Sequence, residues 1–599
     1  MEILFALAII GLLVYAIVQW RRRRGALEHA DPGIGTVRRL YFYSVIFVTL
    51  MMSANGVMVV AMDLLERLFG EPTIVPSSTT RLAWGLALVI VGLPIWGFHW
   101  RAVQRHVSEL PVERNSILRK LFIYVTLGVA VGLLTSGLIG ILNWALGAGD
   151  FSGFPWAAAV VWSAVWWSLW RVEEAEGQHT LETRGIRRLY LYLVALVTLT
   201  MLAVGVARLM QDVLAAGYAS AFSVQVLRPS GSGLWTVVFR TSLVAAVVTG
   251  GVWSAHWLRF ASRDQGSDLR WVYLYVFAIL GGAVTALAAS GVFVDRVLEW
   301  ALAAPGSEPA VAHFKVLPAV IASFSVGVAV WLYHWWAVRR EAAGSRPQAV
   351  WARRTYVYLL SALGLGTLAV ASFTAINTAL TLLSERSRTL VSGEDLWKEP
   401  VALAVTLAII GAPIWGYYWR EAQRRVEGYQ AEERTALARR LYAFAVLGLG
   451  VLALVGSASG TIFVLLRDLL DASLSIDTLR DIRPAIGVAL TAGIIVPYQW
   501  AVYREDRAAE PEPEAPGPAP RAGKQVSLLA SEGSAEFLRG LEEALGHSVE
   551  VLRWADAEAV VPSMTDQGLS DLARRVNESL GRRVLLVPDG DGVRVVSYD

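Results

Sequence analysis

The chain has no cysteine in its 599 residues. Disulfides, thiolate nucleophiles, iron–sulfur clusters and cysteine-type zinc sites are therefore excluded. Charge is scarce too: Asp, Glu, Lys and Arg make up 17% of the chain, against roughly 25% in soluble domains. There is no Walker loop, no Rossmann glycine fingerprint, no HExxH and no GxSxG in a strand–helix setting. These absences remove the common nucleotide-binding, zinc-hydrolase and serine-hydrolase chemistries and leave no catalytic residue to nominate.

Apolar residues fill the place of charge, at 55% of the chain with a mean hydropathy of +0.49. The stretches 42–69, 82–100 and 121–146 are almost uncharged, and about 20 such residues make a helix that crosses ~30 Å of hydrocarbon. The runs are continuous rather than alternating, which predicts membrane-spanning helices and not a barrel. Another apolar run, 3–18, is followed by Arg21, Arg22, Arg23 and Arg24. A cleavable signal peptide carries such charges in front, so 1–24 is expected to be a retained anchor with its N-terminus outside. Of the Lys and Arg that flank the spans, 31 follow Trp20, Trp100, Trp170, Trp257, Trp335, Trp419 and Tyr503, and 13 lie at the opposite ends. The positive-inside rule makes the first set cytoplasmic, and makes Trp96, Trp100, Trp166 and Trp170 an interfacial aromatic belt.

After the anchor one pattern recurs six times: a basic residue or two, then aromatics two residues apart, opening an apolar helix. The copies are RRLYFY (38–43), RKLFIY (119–124), RRLYLY (187–192), RWVYLY (270–275), RRTYVY (353–358) and RRLYAF (439–444). Each is matched by a return helix ending in WGFHWR (96–101), WWSLWR (166–171), WSAHWLR (253–259), WLYHWW (331–336), WGYYWR (415–420) or VPYQWA (496–501). Six hairpins and the anchor predict about thirteen spans, with all hairpins parallel in topology rather than inverted. GLPIWGFHWRAVQRHV (92–107) also matches GAPIWGYYWREAQRRV (411–426), each followed by an acidic–basic pair at Glu113–Arg114 and Glu433–Arg434. The larger unit is thus a four-helix module present three times, over 38–171, 187–336 and 353–504.

The basic-x-x-Tyr-x-Tyr openings and the Trp-x-x-His-Trp closings at 96–100, 253–257 and 331–335 resemble prokaryotic four-helix membrane modules known as domain of unknown function 5671. The resemblance covers about 38–504. It implies a membrane fold and no established activity, so it assigns no site residues.

Three polar features remain. Small residues occupy the middle of the outward helices at 53–56, 135–137, 288–291 and 456–460; they predict close helix packing, with Asn55, Ser136, Ser290 and Ser459 the candidates for a polar lining. His99, His256 and His334 are the candidates for a haem ligand, against which stands their placement beside belt tryptophans. No cofactor and no metal site is expected. Pro94 and Pro413 lie inside apolar helices and predict kinks. Ionisable residues, among them Asp63, Glu66, Asp212, Asp295, Glu299, Arg467 and Asp468, fall at the far ends of the outward helices, as does Arg240 at the start of its return helix. Interfacial ion pairing accounts for them.

From 508 to 523 the sequence turns proline-rich, an extended linker. The segment 524–599 predicts strand (525–530), helix (535–545), strand (548–554), helix (566–580) and a hairpin of 583–587 with 593–597. Asp589 and Asp591 sit in an Asp-Gly turn and lack the further ligands of a calcium loop. With 8 Lys and Arg against 13 Asp and Glu, this domain is a poor surface for nucleic acid.

The expected fold class is an all-α polytopic membrane protein with a small C-terminal α/β cytoplasmic domain, in a prokaryotic plasma membrane. The leading expectation for function is a non-enzymatic scaffold or sensor-like subunit, in contact with the lipid bilayer and with a protein partner at the cytoplasmic domain. The alternatives are a channel or transporter for a neutral or hydrophobic solute and, third, a haem-binding redox subunit using His256 and His334.

Overall fold

The computed structural model of the chain describes residues 34–70, 79–177, 180–222, 235–264, 267–304, 308–341, 347–385, 397–428, 433–434, 436–508, 525–530, 535–545, 548–553, 564–579, 583–589 and 592–598. The expected anchor at 1–24 and nearly all of the linker at 508–523 lie outside the described residues. Contacts divide the chain into two units, Met1–Glu505 and Asp506–Asp599.

Among the described residues of the first unit, twelve long helices are arranged as six hairpins. They are α1 (Ile34–Phe69) with α2 (Thr79–Glu109), α3 (Ile117–Ala145) with α4 (Gly153–Glu176), and α5 (Leu181–Phe222) with α6 (Val237–Phe260). Then come α7 (Asp268–Ala301) with α8 (Ala310–Glu341), α9 (Pro347–Glu385) with α10 (Lys398–Gly428), and α11 (Leu437–Leu470) with α12 (Ile476–Ala508). Among the described residues, 11 of these are long and apolar enough to cross a membrane. The exception is α4, whose five tryptophans and three glutamates lower its hydropathy.

Small residues close the hairpins, because in lipid two helices gain by backbone approach rather than by hiding apolar surface from water. A Cβ on Gly56 would lie 2.9 Å from the Gly85 carbonyl; one on Gly137, 2.7 Å from the Pro155 carbonyl; one on Gly327, 2.8 Å from the Gly282 carbonyl; and one on Gly411, 3.1 Å from the Gly364 carbonyl. The expected stretches 53–56 and 135–137 are therefore packing surfaces. The stretch 456–460 is not, since a Cβ at Gly456 or Gly460 would meet nothing within 4 Å. Accordingly α11 and α12 do not pack along their length as the other pairs do.

The hairpins stand in an open row, each packed on the next. The outward helix of one lies on the return helix of the following one, as α1 on α4, α3 on α6, α5 on α8 and α7 on α10. Among the described residues no close packing joins the first hairpin to the fifth or sixth.

Helices α2 and α10 run on through the exposed Pro94 and Pro413. A different irregularity marks the middle hairpins. WSAHWLR (253–259) runs into a π-helical turn of α6 over Ala255–Phe260. Helix α7 has a second π stretch over Tyr273–Ile279.

The second unit has β1 (Gln525–Ala530), α13 (Ala535–Leu545), β2 (Glu550–Arg553), α14 (Asp566–Glu578), β3 (Arg583–Asp589) and β4 (Gly592–Tyr598). The sheet order is β2-β1-β3-β4, with β1 parallel to β2 and β3, and β4 antiparallel to β3. Alternation along the strands sends Val526, Leu528, Val584, Leu586 and Val593 into one core with Phe537, Leu541, Leu569, Leu572 and Val576 of the two helices. Asp589 pairs with Gly592 across the expected turn, whose residues 590–591 lie outside the described ones.

The packing roles of the glycines can be separated by substitution. Gly137→Val forces a side chain into the Pro155–Ala159 backbone and is expected to cost about 1–3 kcal/mol, read as a lowered thermal midpoint in detergent. Gly460→Val, facing open space, should leave the midpoint unchanged.

Candidate functional site: an aromatic and ionic belt between hairpins

A helix turns about 100° per residue, so aromatics two residues apart point about 200° apart and leave the helix on nearly opposite sides. This explains the Tyr-x-Tyr openings. The second aromatic of each opening meets the first aromatic of the next, with ring centroids at 5.9 Å for Tyr43–Phe122, 5.4 Å for Tyr124–Tyr190, 5.6 Å for Tyr192–Tyr273, 5.9 Å for Tyr275–Tyr356 and 5.7 Å for Tyr358–Tyr442. All five junctions of the row are built this way. The rings form a staircase across the basic ends of the helices.

The return helices supply tryptophan to the same junctions. Trp166 Nε1 donates to the Tyr190 hydroxyl of the following hairpin at 3.1 Å, and Trp253 Nε1 to that of Tyr273 at 3.2 Å. The corresponding Nε1 atoms of Trp96, Trp331 and Trp415, before Phe122, Tyr356 and Tyr442, are buried without a hydrogen bond among the described residues. The first arginine of an opening covers the closing tryptophan of the hairpin before it: Arg119 over Trp100, Arg187 over Trp170, Arg270 over Trp257 and Arg439 over Trp419, at 4.6–5.8 Å. Three of the closing tryptophans, Trp170, Trp257 and Trp419, lie between hairpins. They are 3–6% exposed, because cation–π and ring contacts draw them between hairpins.

Within each hairpin the first aromatic of the opening faces the residue at the histidine position of the return helix. The hydroxyl of Tyr190 lies 3.2 Å from His256 Nε2, that of Tyr273 3.5 Å from His334 Nε2, that of Tyr356 3.2 Å from the Tyr418 hydroxyl, and that of Tyr442 3.5 Å from Gln499 Nε2. In the second hairpin both members are apolar, Phe122 and Leu169. His256 and His334 are buried, at 3% and 0% exposure. Their Nδ1 atoms contact the carbonyls of Val252 and Val330, and that of His99 the carbonyl of Ile95. No hydrogen bond or ring contact joins any two of the three histidines among the described residues.

Ion pairs fix the same ends. Arg39 grips Glu113, Arg188 grips Asp264 and Arg354 grips Glu433 at 2.7–2.8 Å, once in each module. Tyr192 donates to Asp264 at 2.9 Å, and Tyr358 lies 3.5 Å from Glu433. Between these sit buried cations: Arg119 bonded to Glu176 and to Gln104, Lys120 at 2.6 Å from both Glu173 and Glu176, Arg270 at 2.7 Å from Glu341, and Arg439 at 3.0 Å from Gln423. The acidic–basic pairs in the sequence at 113 and 433 are a signal for these contacts; nothing in the sequence singles out Asp264.

Hairpins one, three and five are thus equivalent, and so are two, four and six. The profile of the family described as Domain of unknown function (DUF5671) follows that period, matching residues 39–167, 188–320 and 354–494. The chain belongs to this family. No curated protein and no solved structure matches it.

Outside the belt the DUF5671 modules place the remaining candidates singly. Asn55 turns its amide back to the Met51 carbonyl at 2.8 Å, and Ser290 its hydroxyl to that of Ala286 at 2.9 Å. Ser136 is half-buried and Ser459 exposed. These four line no common cavity. At the far ends of the helices the expected ion pairs form: Asp63 with Arg67 at 2.6 Å, Glu66 with Arg81 at 2.5 Å, Arg296 with Glu299 at 2.6 Å and Arg467 with Asp468 at 2.7 Å. Arg240 instead caps α3, donating to the carbonyls of Leu146 and Gly147 at 2.6 Å.

A crevice of about 310 Å³ opens between α7, α9 and α10, lined by Leu287, Val292, Leu403 and Ile410 with Asp295 and Thr406. The Asp295 Oδ1 and Thr406 Oγ1 atoms are buried without a hydrogen bond among the described residues. No group of three His, Asp or Glu among those residues could hold a metal ion.

The Tyr190 hydroxyl serves both Trp166 and His256, so Tyr190→Phe strands two buried polar atoms. The expected cost is about 1–3 kcal/mol by thermal unfolding in detergent. Adding His256→Leu recreates the Phe122–Leu169 pairing of the second hairpin and should recover part of the loss, with Trp166 Nε1 still unpaired.

Proposed function

We propose that this DUF5671 protein is a non-enzymatic membrane scaffold or sensor-like subunit. It crosses the plasma membrane with its N-terminus outside and holds its α/β unit in the cytoplasm, where that unit binds a protein partner. The observation that carries the reading is where the polar groups go. Among the described residues, most tyrosines, histidines, arginines and carboxylates at the basic ends contact one another across the hairpin junctions, which favours a structural platform over a catalytic centre. The excess of 31 basic residues over 13 supports the orientation.

The α/β unit supports the partner. Both its helices cover one face of the sheet. On the other face register places Leu529 beside Leu552, and Leu585 beside Val596, with Leu552 and Val596 each 39% exposed. The exposed Arg583 and Arg594 border this strip. A protein presenting an apolar strip flanked by carboxylates is the partner that fits.

A second reading, a channel or transporter for a neutral or hydrophobic solute, is favoured by one observation, the apolar crevice beside Asp295 and Thr406. The haem reading gains nothing from the geometry, because His256 and His334 already have both ring nitrogens engaged.

Two measurements test this. Full-length protein purified from native membranes should carry a discrete protein that Leu585→Asp removes and Glu543→Lys, on α13, retains; equal recovery with both would overturn the partner assignment. Liposomes containing the protein should release glycerol no faster than empty ones. Faster release would transfer support to the second reading.

A further inference from the structure

The most deeply buried threonines of the membrane helices treat their hydroxyls alike. Thr126, Thr135, Thr198 and Thr249, all 0% exposed, each donate to the carbonyl four residues back in their own helix. Thr406 on α10 is 1% exposed, yet its hydroxyl has no hydrogen bond among the described residues, and it lines the crevice between α7, α9 and α10. Asp295 Oδ1, buried and equally unpaired, belongs to the same crevice. Buried polar atoms without partners are rare. Two in one apolar crevice mark a place where a ligand supplies the missing partners.

The crevice, about 310 Å³, follows α7 inward from Asp295 to Val284 and α10 from Leu403 to Ile414, about 16 Å of helix. The third polar side chain on its wall, Thr367, is already turned to the Leu363 carbonyl at 2.8 Å. Val284, Val292 and Leu403 are 36–41% exposed, so an aliphatic chain can enter sideways from the hydrocarbon. A second cavity, about 490 Å³, lies toward the far ends of the same helices and shares Asp295 and Leu403 with the first. Asp295, Glu299 and Glu399 line it together with Asn377, Phe373 and Trp397, and no basic residue does. Arg296 is held on Glu299 at 2.6 Å, and Lys398 lies 3.2 Å from the Ala303 carbonyl. Asp295 and Glu399 therefore stand without an ion pair among the described residues. The carboxylates do not converge as metal ligands do. An ammonium group fits them instead, since it carries three donors and no acceptor and is drawn to carboxylates and aromatic faces alike.

We infer that the double cavity binds an amphiphile with a primary ammonium head and a single aliphatic chain. The chain fills the crevice, and the head sits where the two cavities join, donating to Asp295 Oδ1 and Thr406 Oγ1. Glu399 adds negative charge at the mouth. An ethanolamine phospholipid carries the same ammonium but would bring its phosphate against Glu299 and Glu399, so a simple alkylamine is the occupant. Binding asks for no passage across the bilayer and does not involve the α/β unit, so the site stands apart from both readings of function.

The test uses full-length protein in phosphatidylcholine nanodiscs, whose choline heads have no N–H to offer. The probe is dodecylamine with a diazirine midway along its chain. Two controls carry the same photoreactive chain, one ending in a carboxylate and one as a phosphatidylethanolamine. The amine should label the crevice wall around Leu287, Leu403 and Ile410 at least about tenfold more than either control, as expected for a charge-assisted hydrogen bond. Asp295→Asn should lower that labelling about tenfold and Thr406→Val about threefold, the lesser loss of a neutral acceptor. Thr406→Val should also raise the thermal midpoint without probe, because it removes an unpaired buried hydroxyl; weaker labelling of a more stable protein cannot come from misfolding. Ser459→Ala, on α11, should change nothing. Equal labelling by the carboxylate or the phospholipid, or labelling unchanged in both Asp295→Asn and Thr406→Val, would overturn the assignment.

Discussion

The angular step of the α-helix governs this structure more than any single bond. Two aromatics two residues apart cannot share a helix face, so every opening reaches backward with one ring and forward with the other. Repetition of that device converts a linear order of hairpins into a spatial one. In lipid no hydrophobic gain selects one apolar neighbour over another. Ring pairs at about 0.5–1.5 kcal/mol each, together with the Trp–Tyr hydrogen bonds and the Arg–Trp stacking, therefore decide which hairpin meets which.

The ionic contacts serve register rather than net stability. Taking Lys120, Arg119 and Glu173 to 0–2% exposure costs several kcal/mol per ion, and their attraction returns little beyond that. A mispaired neighbour, however, would leave such a charge buried alone. The arrangement thus penalises the wrong neighbour more than it rewards the right one. The same logic explains the second hairpin. A lone Phe122 opposite a histidine would strand an imidazole nitrogen, and a lone Leu169 opposite a tyrosine would strand a hydroxyl, so the two polar members are absent together.

Much of the frame is legible in the sequence because it depends on local periodicity. Hairpin boundaries, the three modules and the strand–helix order of 525–597 are set by apolar run length, repeat spacing and alternation. Features that depend on a neighbouring hairpin are not legible. Trp170 and Trp257 carry the signature of an interfacial belt, and only a partner helix, absent from any local window, turns them inward. His256 and His334 look like replaceable interface residues for the same reason. One signal is available: the residue at the histidine position changes from His to Leu only where the facing tyrosine has become Phe122. Six internal copies expose that correlation in a single sequence.

The sixth hairpin shows what the repeat demands by failing part of it. Val496 replaces the first tryptophan of the return helix, and a Cβ on Gly450 would meet Val496 Cγ2 at 2.4 Å, side chain rather than the backbone that glycine crossings need. The pair consequently loses its small-residue seam. Helix α12 is held instead by the fifth hairpin, through Trp419 Nε1 to the Tyr498 hydroxyl at 2.7 Å and Phe373 against Gly487. Helix α11 keeps Tyr442 on the staircase through Tyr358. Each helix of the last hairpin is thus placed in part by the preceding hairpin, while its own partner meets it mainly near the ends, through Arg467 to Asp481 at 2.8 Å, Thr478 to Asp468 at 2.6 Å and Gln499 to Tyr442 at 3.5 Å. Terminal repeats commonly depart from the consensus because only one side must be covered. Here the departure separates two functions that coincide elsewhere in the row: the glycine seam makes a hairpin, and the aromatic staircase makes the order. Order survives where the seam is lost, so the staircase is the stronger constraint.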